Sequence, residues 1–301
     1  MNTAITIRFL TPYISSITRD QDFVHSPLPL DGALAHAAYW EALVPGAVAD
    51  APTGGQADAT MMQRHVTPVL DAVFAQAPLG GRDLLNDNTI TESVYAVSSG
   101  FPVVAGQAYL KHGARWLGLD TGVAFVPDYE VQPIRKRVIL DRLSSLNLAF
   151  VGGRGRPLTG EPETGKGVLK AIDNRVTTWQ VYEYVWLAEV RDRDHLRALL
   201  EVLKFQGMGK KHTAGFGKVL DYEIDDLAAR FPSLRIERRL FFSERGQHIL
   251  LRPLPYDAIM LAPGRVVMTN LMVESGCGYR PPYWSDRRVV VREGTIFRFL
   301  N

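Results

Sequence analysis

Residues 204–218 read KFQGMGKKHTAGFGK. Lys204, Lys210, Lys211, Lys218 and His212 stand in this stretch without a single acid, interleaved with Gly207, Gly209, Gly215 and Gly217. Glycine lets a backbone approach a ligand closely and leaves N–H groups open. Lysines beside such a loop supply the charge that phosphates need. Phe216, between two glycines, offers a ring that could pack inward or stack on a base. The chemistry these types can do together is to hold a polyanionic strand. A glycine-rich turn with a solvated basic rim uses the same residues and stays open as the plainer reading. The order is not that of a P-loop, because GxxxxGK[ST] is missing and the segment follows a helix. Nor does GxGxxG occur here after a strand.

Other cations cluster upstream. Arg135, Lys136, Arg137 and Arg142 share a short stretch with one acid, Asp141. Arg154 and Arg156 follow in the glycine-rich segment 152–167, and Lys166, Lys170 and Arg175 continue the trend. Charge clustering of this kind fits RNA contact, and it also fits a solvated hairpin. Arg235, Arg238 and Arg239 form another group, and Arg287, Arg288 and Arg292 a further one. Glu237 and Asp286 allow ordinary surface ion pairs in both.

Metal-independent RNA cleavage needs one group to deprotonate the attacking ribose hydroxyl and another to protonate the leaving oxygen. Histidine suits both tasks because it titrates near neutral pH. His25, His36, His112 and His212 are the candidates. No His/Cys or His/carboxylate spacing points to a metal, no cofactor motif is present, and GxSxG is absent. A single cysteine, Cys277, rules out a disulfide framework within the chain.

Several elements would have to position these groups. Ile5, Ile7 and Phe9 mark a first strand over Ala4 to Leu10. Leu30, Ala33, Leu34, Ala37 and Ala38 fall on one face of a helix over Leu30 to Leu43, with Pro29 and Asp31 at its start. Met61 to Gln76 has helical character interrupted by Pro68. Glu92 to Val97 and Val103 to Tyr109 read as strands, Pro127 to Pro133 as a break, and Val176 to Val190 as one long strand. Asp194 is the expected N-cap of an amphipathic helix carried by Leu196, Leu199, Leu200 and Leu203. Val219 to Ile224 is the strand after the glycine loop. Beyond residue 231 the chain is β-rich, with Glu293-Gly294 expected to turn a last hairpin. The order fits an α+β, ferredoxin-like βαββαβ core over 1–230 with a basic insertion near 131–178, then a β-rich subdomain over 231–301.

The 301 residues can bury a sizeable core, and a formal net charge of +2 does not by itself demand a polyanion. Met1 to Leu10 lacks the basic and apolar regions of a signal peptide, and no run of about 18 apolar residues occurs. The expectation is a cytoplasmic protein without a membrane span.

An amphipathic helix followed by G-x-G-basic-basic-x-x-x-G-F-G-basic-Val, here Leu196 to Val219, resembles the glycine-rich loop of the RAMP superfamily of CRISPR-associated RNA-binding proteins. Ser26-Pro-Leu-Pro-Leu-Asp-Gly-Ala-Leu-Ala-His-Ala, ending at Ala37, resembles the P-L-x-L-D-G-x-L-A lead-in to the first helix of several RAMP subunits. Both stand in the expected order after a first strand. The resemblance covers the two ends of residues 1–224, and in size and helix lead-in it is nearest to the type IV subunit that caps the five-prime handle of the guide RNA.

The resemblance implies a non-catalytic, antiviral-defence role. Lys204, Gly207, Gly209, Lys210, Lys211, His212, Gly215, Phe216, Gly217 and Lys218 would bind guide RNA (crRNA). Arg135, Lys136, Arg137, Arg154 and Arg156 would join them from a thumb-like insertion. Backbone and large subunits of a ribonucleoprotein complex would be the partners, with target duplex DNA as a further one. Some RAMP relatives cut guide precursors with a histidine near the first helix, so the alternative is an endoribonuclease using His36 and Tyr13. A ferredoxin-like protein-interaction module is the third reading.

Overall fold

Ile5, Ile7 and Phe9 alternate with Ala4, Thr6 and Arg8, and this period of two builds strand β1 (Asn2–Phe9), buried along most of its length. The computed structural model describes residues 2–14, 29–43, 62–79, 92–112, 115–119, 124–125, 129–136, 172–209, 215–237, 241–244, 247–257, 266–269, 271, 273–278, 281 and 287–299. They belong to two units, one of residues 1–128 and 179–301 and one of residues 129–178.

Helix α1 (Leu30–Leu43) has the bounds its apolar spacing predicts, and Leu30, Leu34, Ala37 and Ala38 are fully buried. A π-helical turn (Met62–Val66) runs into α2 (Thr67–Val73). Pro68 lies in the first turn of α2, where no N–H is needed, so it starts a helix and does not interrupt one. Strands β2 (Gln76–Leu79) and β3 (Glu92–Tyr95) pair with each other. The single strand expected over Val103 to Tyr109 is a hairpin of β4 (Phe101–Val104) and β5 (Gln107–His112). Ala105 and Gly106 turn it with φ of 50° and 80°, the positive pair that a tight hairpin of this hand requires. Strands β6 (Arg115–Gly118) and β7 (Ala124–Phe125) continue the ladder.

In the second unit, β8 (Tyr129–Lys136) pairs with β9 (Ile172–Trp179). The break expected at Pro127 to Pro133 is therefore strand from Tyr129 onward. The long strand expected over 176–190 is also two: β9 stops at Trp179 and β10 (Glu183–Glu189) begins three residues after Gln180, in another sheet.

Helix α3 (Arg193–Gln206) buries Leu196, Leu199, Leu200 and Leu203. Its N-cap is Asp192, not Asp194: Asp192 Oδ1 accepts the N–H groups of Asp194 and His195 at 3.0 and 2.9 Å. Strand β11 (Val219–Asp226) and a single turn, α4 (Leu227–Arg230), complete this part.

The C-terminal strands are β12 (Ile236–Glu237), β13 (Phe241–Glu244), β14 (Gln247–Leu250), β15 (Leu254–Pro255), β16 (Val266–Thr269), β17 (Val273–Gly278), β18 (Arg287–Val291) and β19 (Ile296–Phe299). The hairpin expected at Glu293-Gly294 does not form. Its turn passes the chain from β18, in a β15-β18-β17 sheet, to β19, in a β12-β13-β14-β19-β16 sheet. The Gly294 N–H donates to the Leu250 carbonyl at 2.8 Å, which fixes the crossing.

The large antiparallel sheet has the order β11-β1-β10-β4-β5-β6-β7. Both of its faces are covered. On one, Ile5, Ile7, Phe9, Tyr184 and Trp186 pack against α1, α2 and α3. On the other, Ala4, Val185 and Leu187 pack with Phe101, Leu110, Leu227, Phe231, Ile249 and Leu251. One ion pair ties these parts together. Asp31 and Arg252 both have fully buried side chains, 3.3 Å apart, and Arg252 Nη1 also donates to the Tyr95 carbonyl at 2.6 Å. Asp31 Oδ1 accepts the Gly32 N–H at 3.0 Å. The acid in the helix lead-in is thus a buried partner of the C-terminal strands.

Candidate nucleic-acid interface

The glycine-rich segment begins where α3 ends. Gly207, with φ of 83°, closes the helix and its N–H donates to the Leu203 carbonyl at 2.7 Å. The two arms of the loop then zip together and onto the exit of β1. Met208 N–H donates to Gly217 O at 2.9 Å, and Gly217 N–H donates to Pro12 O at 2.9 Å. Leu10 N–H donates to Lys218 O at 2.7 Å, while Lys218 N–H reaches Thr11 Oγ1 at 2.9 Å.

Two of the glycines are needed for this neck. At Gly209 (φ +86°) an added Cβ would sit 2.6 Å from the Ile14 carbonyl oxygen and 2.7 Å from the Tyr13 ring. At Gly217 (φ +63°) it would collide with the Met208 carbonyl. Both positions are therefore closed to side chains by conformation and by space. Gly215 (φ +94°) has the conformation but open space around it. The glycines thus make a tight neck, and residues 210–214 are the stretch it brackets.

Beneath the neck lies a buried aromatic cluster. Tyr13 stands 5.1 Å from Phe9 and 5.6 Å from Tyr184, centroid to centroid, and Tyr184 is 6.1 Å from Trp186. Burial raises the Tyr13 and Tyr184 phenols well above the ordinary tyrosine range. Tyr13 is therefore a protonated floor for the loop. His36 is on the exposed side of α1. His112 ends β5, and His25 lies outside the described residues.

The cations are distributed unevenly. Lys204 Nζ lies 3.8 Å from Asp221 Oδ1, so its charge is partly answered within the chain. Lys218 is exposed and Phe216 half-buried. Lys210, Lys211 and His212 fall outside the described residues, as do Arg137, Arg154 and Arg156. Arg135 and Lys136 end strand β8 of the second unit.

The strands beside the neck carry a mixed cluster of charges. Arg8 lies 3.2 Å from Glu183, 2.8 Å from Glu223 and 3.9 Å from Asp221, and Arg230 lies 3.7 Å from Glu183. These interactions hold Arg8 above its ordinary pKa, with the Glu223 hydrogen bond the largest cause. Asp225 and Asp226 follow on β11. Arg193 answers Asp226 at 2.6 Å, so acids and cations are interleaved along these strands.

Reasoning from residue types missed Arg252, whose partner Asp31 is far away in sequence. It also passed over Phe205, which lies two places beyond Leu203 and so off the buried stripe of α3; that offset was the available signal. Among the described residues, no cluster of His, Cys, Asp or Glu is arranged to hold a metal, and no helix is long and apolar enough to cross a membrane.

No family model matches the sequence, and no curated protein does. Two solved structures are similar over nearly the whole chain. One is a chain of the Type III-B Cmr-beta complex seen by cryo-EM with cognate target RNA and AMPPnP, at 8% identity and a TM-score of 0.42, covering 99% of this chain and 86% of that one. The other belongs to the crystal structure of the Csm3-Csm4 subcomplex of the type III-A CRISPR-Cas interference complex, at 10% identity and a TM-score of 0.44, covering 99% and 93%. At this distance the functional assignment rests on the chain's own residues.

Proposed function

We propose that this chain is a non-catalytic RNA-binding subunit of a CRISPR ribonucleoprotein effector complex of the type IV kind, holding the five-prime handle of the guide RNA. The observation that carries the reading is the neck: Gly209 and Gly217 are packed tightly against the exit of β1, and the sequence between them carries Lys210, Lys211 and His212. The succession β1, α1, β4, β10, α3, β11 with spatial order β11-β1-β10-β4 supports a ferredoxin-like RAMP core. The basic insertion would add contacts through Arg135 and Lys136. Lysines and backbone N–H groups would hold phosphates while shape and stacking distinguish the handle. Backbone and large subunits would flank the chain, and target duplex would be met inside that assembly.

Burial of Tyr13 favours binding over cleavage, since a ring packed between Phe9 and Tyr184 is out of reach of a ribose hydroxyl. The test is a titration of the full chain against a labelled guide precursor in EDTA at two salt concentrations, followed by a denaturing gel. Intact RNA and salt-sensitive binding are expected. The triple change Lys210→Glu, Lys211→Glu and Lys218→Glu should lower affinity and reduce the salt slope by about one per lost phosphate contact. Cleavage abolished by His36→Ala would replace this reading with the endoribonuclease. Salt-independent binding, or none, would replace it with a protein-interaction module.

A further inference from the structure

Among the described residues, seven large apolar side chains are exposed: Leu10, Tyr182, Phe205, Leu220, Leu271, Val273 and Val289. Four of them come from distant parts of the chain and sit on backbone that adjoins the neck. Leu10 follows β1 and donates its N–H to Lys218 O. Tyr182 precedes β10, and its carbonyl accepts the Phe9 N–H at 2.6 Å. Leu220 is the residue skipped where β11 bulges against β1, between the partners of Arg8 and Phe9. Phe205 is in the last turn of α3, two residues before Gly207, and is 94% exposed.

An aromatic ring that far out of the core forgoes the burial that stabilises its neighbours on α3. Two exposed rings, Phe205 and Tyr182, stand at an end that also carries Lys218 and Lys204, the latter shared with Asp221, while Glu183 beside Tyr182 is answered by Arg8 and Arg230. Aromatic faces interleaved with cations are what unstacked bases need, because every base has a π-face and every linkage a charge. Lysines are depleted from the cores of protein–protein interfaces, so rings set beside Lys204 and Lys218 suit a strand of alternating bases and phosphates better than a protein partner.

We propose that Phe205 and Tyr182 are base-stacking positions for single-stranded RNA, flanking the neck on its α3 and β10 sides. This deepens the RNA-binding reading and rests on it. The rings would supply affinity that is independent of salt and tolerant of sequence, and the lysines the salt-dependent part.

The experiment uses the full chain and two labelled strands of equal length and charge, an oligoadenylate and the same backbone lacking bases. Phe205→Ala should weaken oligoadenylate binding roughly tenfold, in the range known for loss of one stacked base. Binding of the abasic strand and the salt slope should not change. Tyr182→Ala should act in the same direction with a smaller effect. Phe205→Trp should bind as the wild type does, with its indole emission quenched by the oligoadenylate. Unchanged oligoadenylate affinity in both alanine variants overturns the stacking proposal while leaving the RNA reading intact. Equal losses on both strands also overturn it, since they report damage to the neck. If the wild type binds neither strand, the RNA reading itself fails and the proposal falls with it.

Discussion

The two motifs that carry the family resemblance do opposite work. The Pro-Leu-Asp-Gly lead-in to α1 places Asp31 in the interior, against Arg252 and out of reach of any ligand. The glycine loop instead uses its glycines to shut a neck and leaves Lys218 and Phe205 in solvent. Residue type alone does not separate these roles, because an aspartate at a helix start and a lysine in a loop look equally ready for chemistry. What separates them is whether the fold supplies a partner. Asp31 is answered by an arginine from the C-terminal strands, whereas the loop end keeps exposed cation and ring together. The first motif is therefore read in stability, and the second in binding.

Substitutions can break this comparison. The largest effect should come from Arg252→Ala, which strands a buried carboxylate and should cost about 3–5 kcal/mol in urea unfolding. Arg252→Met combined with Asp31→Leu should recover much of that loss, because the uncompensated charge is gone. A cost below about 1 kcal/mol for the single change, the range of an exposed pair, would sink the interior role of the motif.

Gly217→Ala should come next. Its backbone conformation alone predicts roughly 1–3 kcal/mol of destabilisation, and the collision with Met208 adds to it. Gly215→Ala, with open space, should cost less. If the two variants melt alike, the neck is not the constraint described above.

High pH should act on both regions. Burial lifts the phenols of Tyr13 and Tyr184 under the loop, and that of Tyr95 beside the ion pair, above their ordinary 10.0. Tyr222, desolvated and hydrogen-bonded to Glu201, is pushed up to about 12. Below the ordinary value both folded and unfolded chains hold these protons, and the stability is fully present. Above it the unfolded chain releases protons first, so stability falls as pH rises, for Tyr222 between 10.0 and about 12. Urea midpoints across that range, with Tyr222→Phe as control, should show a downward slope that the variant lessens. A flat profile would refute the linkage.

The smallest effect should be that of Asp192→Ala, about 1 kcal/mol from the lost cap of α3. Asp194→Ala should cost less, since Asp194 is bonded there through its backbone and its side chain meets the exposed Arg197. Paired melts of the two variants check the order.

Much of the framework was legible because its signals are local. The bounds of α1 follow from apolar spacing, and the leucines of α3 mark its buried face. Strands β1 and β11 stood out by alternation and flanking turns. The misreadings have physical causes. The run from Val176 to Val190 is rich in β-formers throughout, so nothing in it marks the stop at Trp179 or the restart at Glu183. Ala105 takes a positive φ without being glycine, which hid the hairpin. Arg-Asp-Arg-Asp offers two caps, and only geometry shows that Asp192 reaches both N–H groups. At the candidate site, composition identified the loop, but neither the neck nor the exposure of Phe205 can be read without the strand pairings that create them.

Those pairings also set a schedule for folding. Strand β1 is hydrogen-bonded on both sides to strands made much later, Arg8 meeting Glu183 in β10 and Thr3 meeting Asp226 in β11. Such non-local sheets fold slowly, because a long loop must close before any of its contacts form. At ribosomal speeds of about 5–20 residues per second, β1 waits roughly 11–45 s for β11 to be made. Both edges of this apolar strand stay open until β10 is made and one stays open until β11 follows, so the nascent chain is a natural client for holding chaperones, and slower synthesis would lengthen its exposure.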